Sequence, residues 1–176
     1  ADTDTLIYPG ENGILYTVKL NTNYNESAGT LTMNPTQMVK MRYAGTRSTY
    51  PASDTLKYWL GYESSVAIMG NYAYLGTNDG YLQCIDLNTM SMVWVQDILD
   101  DSNGSPVVEL DEANHRAYIY IGPSLHWTQD ENKQGTIPLF KIDAMTGEVL
   151  WRHDEIVNTK SGVSGGIQAT VLLGEK

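Results

Sequence analysis

The chain has 176 residues, of which 41% are hydrophobic and 10% aromatic, so it is long enough to form one ordinary hydrophobic core. Its formal net charge of −10 excludes a nucleic-acid backbone or an anionic membrane as a favoured partner, because both require a basic protein surface. The single cysteine, Cys84, excludes an intrachain disulfide and a zinc site built from cysteines.

The composition favours strands over helices. Tyr outnumbers Phe twelve to one, and Val, Ile, Thr and Tyr recur in short runs. No run of about 18 apolar residues is present, so no membrane span is predicted. The first ten residues lack the basic, apolar pattern of a signal peptide. A chain from which such a peptide has been removed would lack this pattern as well.

The first strand pattern lies before residue 43. "TLIYPGENGILYTVKLNTN" is predicted to form the second and third strands of an antiparallel sheet, and "QMVKMRY" is predicted to form its fourth. No first strand is predicted for this sheet.

A complete four-stranded pattern follows. Its strands are predicted at 63–69, 72–76, 81–87 and 92–96. Gly-Asn and Asn-Asp-Gly turns separate the first three strands, because glycine accepts positive φ in tight hairpins. Cys84 lies in the middle of the third strand, which favours a buried thiol over a reactive one.

A second complete pattern has longer loops, with strands predicted near 105–110, 116–121, 136–142 and 148–152. After it, residues 165–173 in "GGIQATVLLG" are predicted to form the first strand of a further sheet. The predicted strands are therefore enough for about three sheets. The first sheet lacks its first strand, and the last predicted strand lacks the rest of its sheet.

Successive sheets of this kind predict an all-β fold, a β-propeller of four-stranded antiparallel blades, because each small sheet has two apolar faces to bury. The chain is interpreted as one propeller segment with blades at 1–43, 63–97 and 105–153 and the start of another at 165–176. A β-sandwich with its Trp residues in an ordinary core is the alternative.

Three blades leave unpaired edges, since propellers close at about four to eight blades. We therefore expect a propeller fragment that does not close on itself and is completed either by self-association through the open blade edges or within a longer parent chain. In this hypothesis, the strand around 167–173 pairs with a partner's strand around 5–8.

The two complete units share one motif at their third-to-fourth turn. Three residue types recur at the same mutual spacing, as Asp86, Thr89 and Trp94, and as Asp143, Thr146 and Trp151. Asp and Thr can hydrogen-bond the backbone of the turn, and Gly147 supplies a left-handed conformation. Both Trp side chains are predicted to be buried between sheets, where removing either would cost roughly 3–5 kcal/mol.

The pattern Ala-x-Asp-x-x-Thr-Gly-x-x-x-Trp resembles the tryptophan-docking repeat of the pyrroloquinoline quinone (PQQ)-like, or quinoprotein, propellers. "KIDAMTGEVLW" departs from it at Lys141, in the Ala slot, and "CIDLNTMSMVW" departs at Cys84 and at Met90, in the Gly slot. "TVKLNTN" matches weakly, with Lys19 in the Asp slot and Asn23 in the Gly slot. The resemblance implies a propeller in which each Trp packs on the repeat turn of a neighbouring blade.

The same resemblance implies one of two functions. The dehydrogenases of this family use the quinone with a calcium ion, an Asp base and adjacent cysteines over the cofactor, whereas this chain has one cysteine. The non-catalytic branch contains extracytoplasmic propellers similar to outer-membrane assembly lipoproteins. We therefore expect a non-enzymatic module of the cell envelope or surface, without catalytic residues, cofactor or metal. A fragment of a PQQ- and calcium-dependent alcohol or sugar dehydrogenase is the alternative.

Other local motifs are weaker evidence for a binding or catalytic site. Asp101, Asn103 and Ser105 have calcium-loop spacing but no downstream Glu at the bidentate position, so a self-capped turn is favoured. The "SGVSGG" stretch at 161–166 lacks a P-loop lysine and is interpreted as a connection between blades. The histidines lie in a hairpin turn, in a long loop and after a Trp, at His115, His126 and His153.

Topology predicts a rim that collects the loops 43–62, 97–104, 122–135 and 153–164. The loop "GPSLHWTQDENKQG" is far longer than a hairpin requires, and long loops in compact folds often carry function. The candidate rim residues are aromatic, imidazole or acidic: His126, Trp127, Asp130, Glu131, Asp97, Asp100 and Asp101.

Such a set suits a sugar, a cation or the basic loop of a partner protein. The predicted function is protein or glycan recognition by this rim. A solvated insertion in which Trp127 packs on its own blade is the simpler interpretation of the long loop, and it stays open here.

Overall fold

The structure, a computed structural model, describes residues 4–10, 13–42, 61–125, 134–158 and 165–174. Strands are the only regular secondary structure in these residues, which confirms the all-β prediction. In chain order they are β1 (Thr5–Pro9), β2 (Ile14–Lys19), β3 (Asn23–Asn25), β4 (Thr30–Thr32), β5 (Thr36–Arg42), β6 (Ala67–Met69), β7 (Tyr72–Gly76), β8 (Tyr81–Asp86), β9 (Ser91–Asp97), β10 (Val107–Asp111), β11 (Arg116–Ile121), β12 (Ser124–Leu125), β13 (Gln134–Asp143), β14 (Val149–Asn158) and β15 (Gly165–Gly166).

Sheet 1 has three antiparallel strands in the order β1-β2-β5. Its cross-strand register places Ile7 opposite Thr17, and Thr17 opposite Val39. A hairpin of β3 and β4, absent from the sequence-based prediction, interrupts the connection from β2 to β5. Each of its strands has three residues, all exposed, which is too short a run to show a periodic pattern.

Sheet 2 has the order β6-β7-β8-β9, as predicted. The turns at Gly70 and Gly80 have φ of 58° and 83°, the conformation that the turn sequences required. The register between β8 and β9 shifts after the pair Cys84 and Trp94. This bulge sets the direction of the Trp94 side chain relative to the sheet.

Sheet 3 has the order β10-β11-β13-β14. It repeats the bulge of sheet 2 at the equivalent position, after the pair Lys141 and Trp151. Strands β13 and β14 have ten residues each, so they are longer than predicted. Residues 153–158, expected in a rim loop, therefore belong to β14.

The predicted strand at 165–173 is only partly present. Gly165 and Gly166 form β15, which pairs with β12, but residues 167–174 form no strand. A strand requires a hydrogen-bonding neighbour, and none of the described strands lies beside these residues.

Two hydrophobic clusters lie between neighbouring sheets. The first contains Leu15 of sheet 1 with Leu75 and Ile85 of sheet 2. The second contains Leu82 of sheet 2 and Ile119 of sheet 3. Sheet 2 therefore buries both of its faces, as a blade between two blades does.

Trp94 packs on the third-to-fourth turn of sheet 3, which confirms its predicted position between sheets. Its Nε1 donates to the carbonyl oxygen of Ala144 at 3.1 Å. A Cβ atom on Gly147 would lie 2.7 Å from Cδ2 of the indole. Since Gly147 also has φ of 77°, both the backbone and the available space require glycine here.

The prediction that Trp151 is buried between sheets is wrong. Its side chain is 46% exposed, and its ring stacks on His153 with 5.9 Å between centroids. The physical reason is its direction: Trp151 projects from the face of sheet 3 that points away from sheet 2. No sheet among the described ranges covers that face.

Carboxylates close the repeat turns. Asp86 Oδ1 accepts from the backbone N–H groups two and three residues later, at 2.7 and 3.3 Å. Asp143 Oδ1 does the same at 2.9 Å for both N–H groups. The spacing from Asp to Thr therefore reflects an Asx-type turn, as the motif predicted.

Sheet 1 closes its turn in another way. Lys19 stands in the Asp slot and has no oxygen with which to accept a hydrogen bond. The Asp4 carboxylate, which comes just before β1, accepts from the backbone N and the Oγ1 of Thr22 at 2.8 and 2.9 Å. The residue before the neighbouring strand β1 thus supplies the missing acceptor.

Candidate binding rim

One end of the sheets, here called the rim, collects two kinds of segment. Hairpin loops connect the second and third strands of a sheet, and they include Gly10, residues 77–80 and residues 122–125. Lead-in segments precede the first strand of a sheet, at 61–65, 101–105 and 165–170.

The hairpin loops at 77–80 and 122–125 are each hydrogen-bonded to the lead-in segment of their own sheet. Asn78 N donates to the carbonyl oxygen of Gly61 at 3.0 Å, and Ser124 N donates to that of Asp101 at 2.7 Å. Ser124 Oγ donates to the same Asp101 oxygen at 3.0 Å. The loop and the lead-in segment are therefore held as one unit.

Lead-in segments also bond to the preceding sheet. Tyr62 N donates to the carbonyl oxygen of Gly10 at 3.3 Å, and Ile167 N donates to that of Pro123 at 3.0 Å. Loops and lead-in segments thus alternate in a hydrogen-bonded belt that crosses from sheet to sheet.

Hydroxyl groups link the lead-in segments directly, in a series that we call the hydroxyl relay. Ser65 N donates to Ser105 Oγ at 2.9 Å, and Ser105 N donates to Thr170 Oγ1 at 3.1 Å. None of the sequence-based predictions included this function of the three residues. A Ser or Thr placed before each first strand was the signal that could have revealed it.

Glycines let neighbouring sheets approach closely at the rim. A Cβ on Gly76 would lie 2.3 Å from Ser102 Oγ, and a Cβ on Gly122 would lie 2.2 Å from Ile167 Cδ1. In both cases the glycine follows or ends a second strand, and the opposing residue belongs to the next lead-in segment.

The predicted rim acids lie at the end of β9 and on the connection that follows it, but they differ in accessibility. Asp97 is exposed, and its Oδ1 accepts from Leu99 N at 2.7 Å. Asp100 and Asp101 are only 0% and 1% exposed, and Asp100 Oδ1 accepts from Asp101 N at 2.7 Å. These two carboxylates are therefore part of the interior of the belt, not surface ligands for a partner.

The other four predicted rim residues, His126, Trp127, Asp130 and Glu131, lie outside the described residues. The structure does show both ends of their loop. Leu125 at the end of β12 is 1% exposed, and β12 is paired with β15. The loop therefore leaves from a buried, hydrogen-bonded base.

The residues at calcium-loop spacing hold the belt together. Ser105 Oγ accepts from Ser65 N, as described, and Asn103 Nδ2 donates to Gln168 Oε1 at 3.0 Å. In the part of the chain that the structure describes, no group of three or more His, Cys, Asp or Glu side chains could hold a metal ion.

Cys84 and two of the histidines occupy structural positions in the fold. Cys84 is 1% exposed, and burial raises the pKa of its thiol to about 12. His115 occupies a hairpin turn with φ of 52°, as expected, and His153 Nε2 lies 2.6 Å from Glu155 Oε1 on the exposed part of β14. The Cys84 thiol is therefore protonated, and its burial protects it from solvent.

Comparison with family models agrees with this architecture over one part of the chain. The model of the LVIVD repeat matches residues 60–96, which include the lead-in segment of sheet 2 and all of that sheet except Asp97. No curated protein matches the sequence.

Two solved structures share the fold over most of the chain. Europium-containing methanol dehydrogenase has a TM-score of 0.55 and 12% identity, over 86% of this chain and 23% of that one. BamB from Moraxella catarrhalis has a TM-score of 0.52 and 17% identity, over 88% of this chain and 36% of that one. The chain has a β-propeller fold. It spans well under half the length of either of these proteins.

The β-propeller fold confirms the architecture that the resemblance to the tryptophan-docking repeat implied. Its sheets correspond to blades, and its rim carries the connections between them. Within the described ranges, no helix has the length and apolar character needed to cross a membrane.

Proposed function

We propose that this chain is a non-enzymatic binding module that acts outside the cytoplasm and recognises a protein or a glycan through its rim. The observation that carries the proposal is the hydrogen-bonded belt. It holds successive blades together with backbone groups and the hydroxyl relay, and it provides a rigid base for the connection between Leu125 and Gln134. Variable loops on rigid scaffolds are a common basis for recognition.

The chemistry of the rim favours a cationic or hydroxyl-rich partner. Glu63 and Asp97 are exposed on the described part of the rim, and the chain has a formal net charge of −10. We include Trp127, Asp130 and Glu131 in the proposed site because they supply an aromatic ring and two carboxylates within five residues of sequence. An aromatic ring can stack on a sugar or contact a Lys or Arg side chain, while the carboxylates accept its hydrogen bonds.

An extracytoplasmic scaffold is supported by the repeat itself, which resembles that of the non-catalytic, outer-membrane assembly type of propeller. The fold likeness to BamB is consistent with this proposal. Self-association through open blade edges is a further proposal, supported by the three-stranded sheet 1, whose β1 edge has no neighbour among the described strands.

Binding arrays test the proposed function. The fluorescently labelled chain is applied to a glycan array and to an array of cationic and neutral peptides at low and high salt. We expect selective binding to one class, with peptide binding weakened by salt because exposed charges are screened. Equal signal for all glycans and peptides, or none for any, would contradict the proposal.

A fragment of a quinone-dependent dehydrogenase is the second candidate, favoured by the fold likeness to a methanol dehydrogenase. The chain is mixed with PQQ and calcium, and absorbance of bound quinone and dye reduction with alcohols or sugars are measured. Stoichiometric quinone binding with substrate-dependent dye reduction would replace the binding module by this candidate.

A further inference from the structure

An exposed hairpin takes the place of the short third-to-fourth turn in sheet 1. It consists of β3 and β4, whose strand residues are all exposed. Asn34 N donates to the carbonyl oxygen of Leu20 at 2.9 Å, and Asn21 Nδ2 donates to that of Asn34 at 2.8 Å. These hydrogen bonds close the base of the hairpin and anchor it to the end of sheet 1.

The hairpin lies at the end of sheet 1 that is opposite to the rim. Strand β2 starts beside the rim, because Gly10 N donates to the carbonyl oxygen of Ile14 at 2.9 Å. The strand then runs away from the rim to Lys19, and the hairpin follows. A group attached to the hairpin therefore leaves the rim accessible.

The turn of the hairpin contains the triplet Asn25-Glu26-Ser27. Asn-x-Ser or Asn-x-Thr, where x is not proline, is the acceptor sequence for N-linked glycans on surface loops of secreted proteins. Residues 21–30 are all exposed, and a Cβ on Gly29 would meet no atom within 4 Å. A modifying enzyme can therefore reach this triplet in the folded chain.

Hydrogen bonds within the turn fix the orientation of the Asn25 amide. Ala28 N donates to Asn25 Oδ1 at 3.1 Å, and Ser27 Oγ donates to the same oxygen at 2.8 Å. A backbone N–H group can only donate, so the atom that faces these two donors is the amide oxygen. Nδ2, the atom to which a glycan is attached, is therefore directed away from them.

The face of the hairpin that bears Asn25 is polar and uncharged. Asn25 lies opposite Thr30, and Asn23 lies opposite Thr32. Because strand residues alternate between faces, the exposed Tyr24 lies on the other face. The amide and hydroxyl groups beside Asn25 can hydrogen-bond to the first sugars of a glycan.

The second triplet of this type, at 103–105, is held in the hydrogen-bonded belt. Asn103 Nδ2 donates to Gln168 Oε1 at 3.0 Å, and Ser105 Oγ accepts from Ser65 N at 2.9 Å. An enzyme would have to break both hydrogen bonds to bind this triplet. The triplet at 34–36 has proline in its middle position and is not an acceptor sequence.

We propose that Asn25 is an acceptor for an N-linked glycan, and that Asn103 is not an acceptor in the folded chain. The inference rests on the proposed function in one respect, because this modification takes place outside the cytoplasm. The co-substrate is an oligosaccharide that is linked to a lipid through a diphosphate.

The transfer is a substitution at the first sugar of this oligosaccharide. Asn25 Nδ2 attacks C1 of the sugar, the bond from C1 to the diphosphate oxygen breaks, and a C1–N bond forms. The amide nitrogen gives up one proton to a basic group of the transferase, and the lipid diphosphate leaves with the bonding electron pair. No oxidant or reductant is required, and the chain gains the mass of one oligosaccharide.

A transfer assay on the folded chain tests the proposal. The chain is incubated with a purified oligosaccharyltransferase that recognises Asn-x-Ser/Thr alone and with its lipid-linked oligosaccharide, and the intact mass is measured. We expect one oligosaccharide per chain, on Asn25. Asn25→Gln and Ser27→Ala should each abolish the mass shift, whereas Ser27→Thr should retain it because the hydroxyl group is kept.

Free peptides separate the effect of sequence from that of structure. Peptides of residues 20–32 and 98–110 are compared, the second with Pro106→Ala because proline restricts the residue before it. Both peptides should be modified. In the folded chain with Pro106→Ala, modification of Asn25 should be at least about tenfold faster than that of Asn103, because enzymes act preferentially on exposed loop tips.

Three results would overturn the proposal. The folded chain could stay unmodified at Asn25, which would show that the hairpin is not an acceptor. Asn103 could be modified as fast as Asn25 in the folded Pro106→Ala chain, or the peptide 98–110 could stay unmodified. Either of these would show that the belt does not determine which triplet is used.

The native chain provides the second arm of the test. It is recovered from its own cells and cleaved after Lys19 and Lys40, and the mass of the peptide 20–40 is measured. In chain recovered from outside the cytoplasm we expect a glycan on this peptide, and only unmodified peptide would overturn the inference. Recovery from the cytoplasm alone would contradict the proposed function itself, so the two failures are distinguishable.

Discussion

Trp94 and Gly147 form a matched pair across two sheets, in which the indole occupies the space that a Cβ atom on residue 147 would need. The pair brings Trp94 Nε1 within 3.1 Å of the Ala144 carbonyl oxygen on the same turn. The contact joins the fourth strand of one blade to the turn of the next. Loss of this contact should therefore lower the free energy of unfolding of the stacked blades.

The substitution Gly147→Ala should destabilise the chain by about 2–5 kcal/mol, from left-handed backbone strain together with overpacking against the indole. Gly70→Ala is the matched control, because Gly70 also has positive φ but nothing within 4 Å of its Cβ position. It should cost only about 1–2 kcal/mol. Urea unfolding gives both values, and equal losses would show that Trp94 does not crowd position 147.

The two repeat tryptophans should respond differently to truncation. Trp94→Ala should cost about 3–5 kcal/mol, because it empties the contact between two blades. Trp151→Ala should cost less than about 1 kcal/mol, since this ring is 46% exposed. Thermal or urea unfolding of the two variants distinguishes the sites, and a larger loss at Trp151 would show that its face is covered in solution.

Alkaline pH should weaken the fold through Cys84. Burial raises the pKa of its thiol from 9.0 to about 12, so the folded chain keeps this proton to higher pH than the unfolded chain does. The stabilisation is fully present below pH 9 and is lost as the pH rises through about 12. Burial also raises the pKa of Tyr74, which acts in the same direction.

Urea midpoints measured between about pH 8 and about pH 11 should therefore decline, and the decline should be shallower in Cys84→Ala, which lacks the titrating thiol. The native thiol should also resist a disulfide reagent until urea unfolds the chain. Rapid labelling in the native state would contradict the buried position.

Recognition through the rim predicts a separation of binding from stability. Trp127→Ala should weaken binding to the selected glycan or peptide about tenfold or more and leave the melting temperature nearly unchanged, because a binding-site Trp is often an energetic hot spot. Trp151→Ala is the control, since it removes an exposed indole elsewhere. If Trp127→Ala lowers stability without affecting binding, the long loop is a structural insertion.

The sequence predicted the elements that local chemistry determines. Glycines at 70 and 80 fixed two hairpins, and the spacing of Asp143, Thr146 and Trp151 predicted a turn closed by its own carboxylate. These features involve residues within a few positions of one another, where turn geometry leaves few alternatives.

Features that depend on distant neighbours were not predictable in the same way. The use of Asp4 to close the turn beside Lys19 joins Asp4 to Thr22, which lies 18 residues later in the chain. The burial of Asp100 and Asp101 depends on how the belt folds over their connection. The exposure of Trp151 depends on which sheet covers its face, although its motif is identical in spacing to that of Trp94.

In the hydroxyl relay, the contact between neighbouring repeats does not depend on the number of residues in each repeat. Its successive contacts join residues 40 apart and then 65 apart, yet both are the same Ser or Thr contact at about the same distance. The additional length of the second interval falls between the points of contact, in connections and extended strands. The length of chain between two relay contacts can therefore differ while the contact between blades stays the same, which makes this chain a candidate frame for displaying foreign peptide loops.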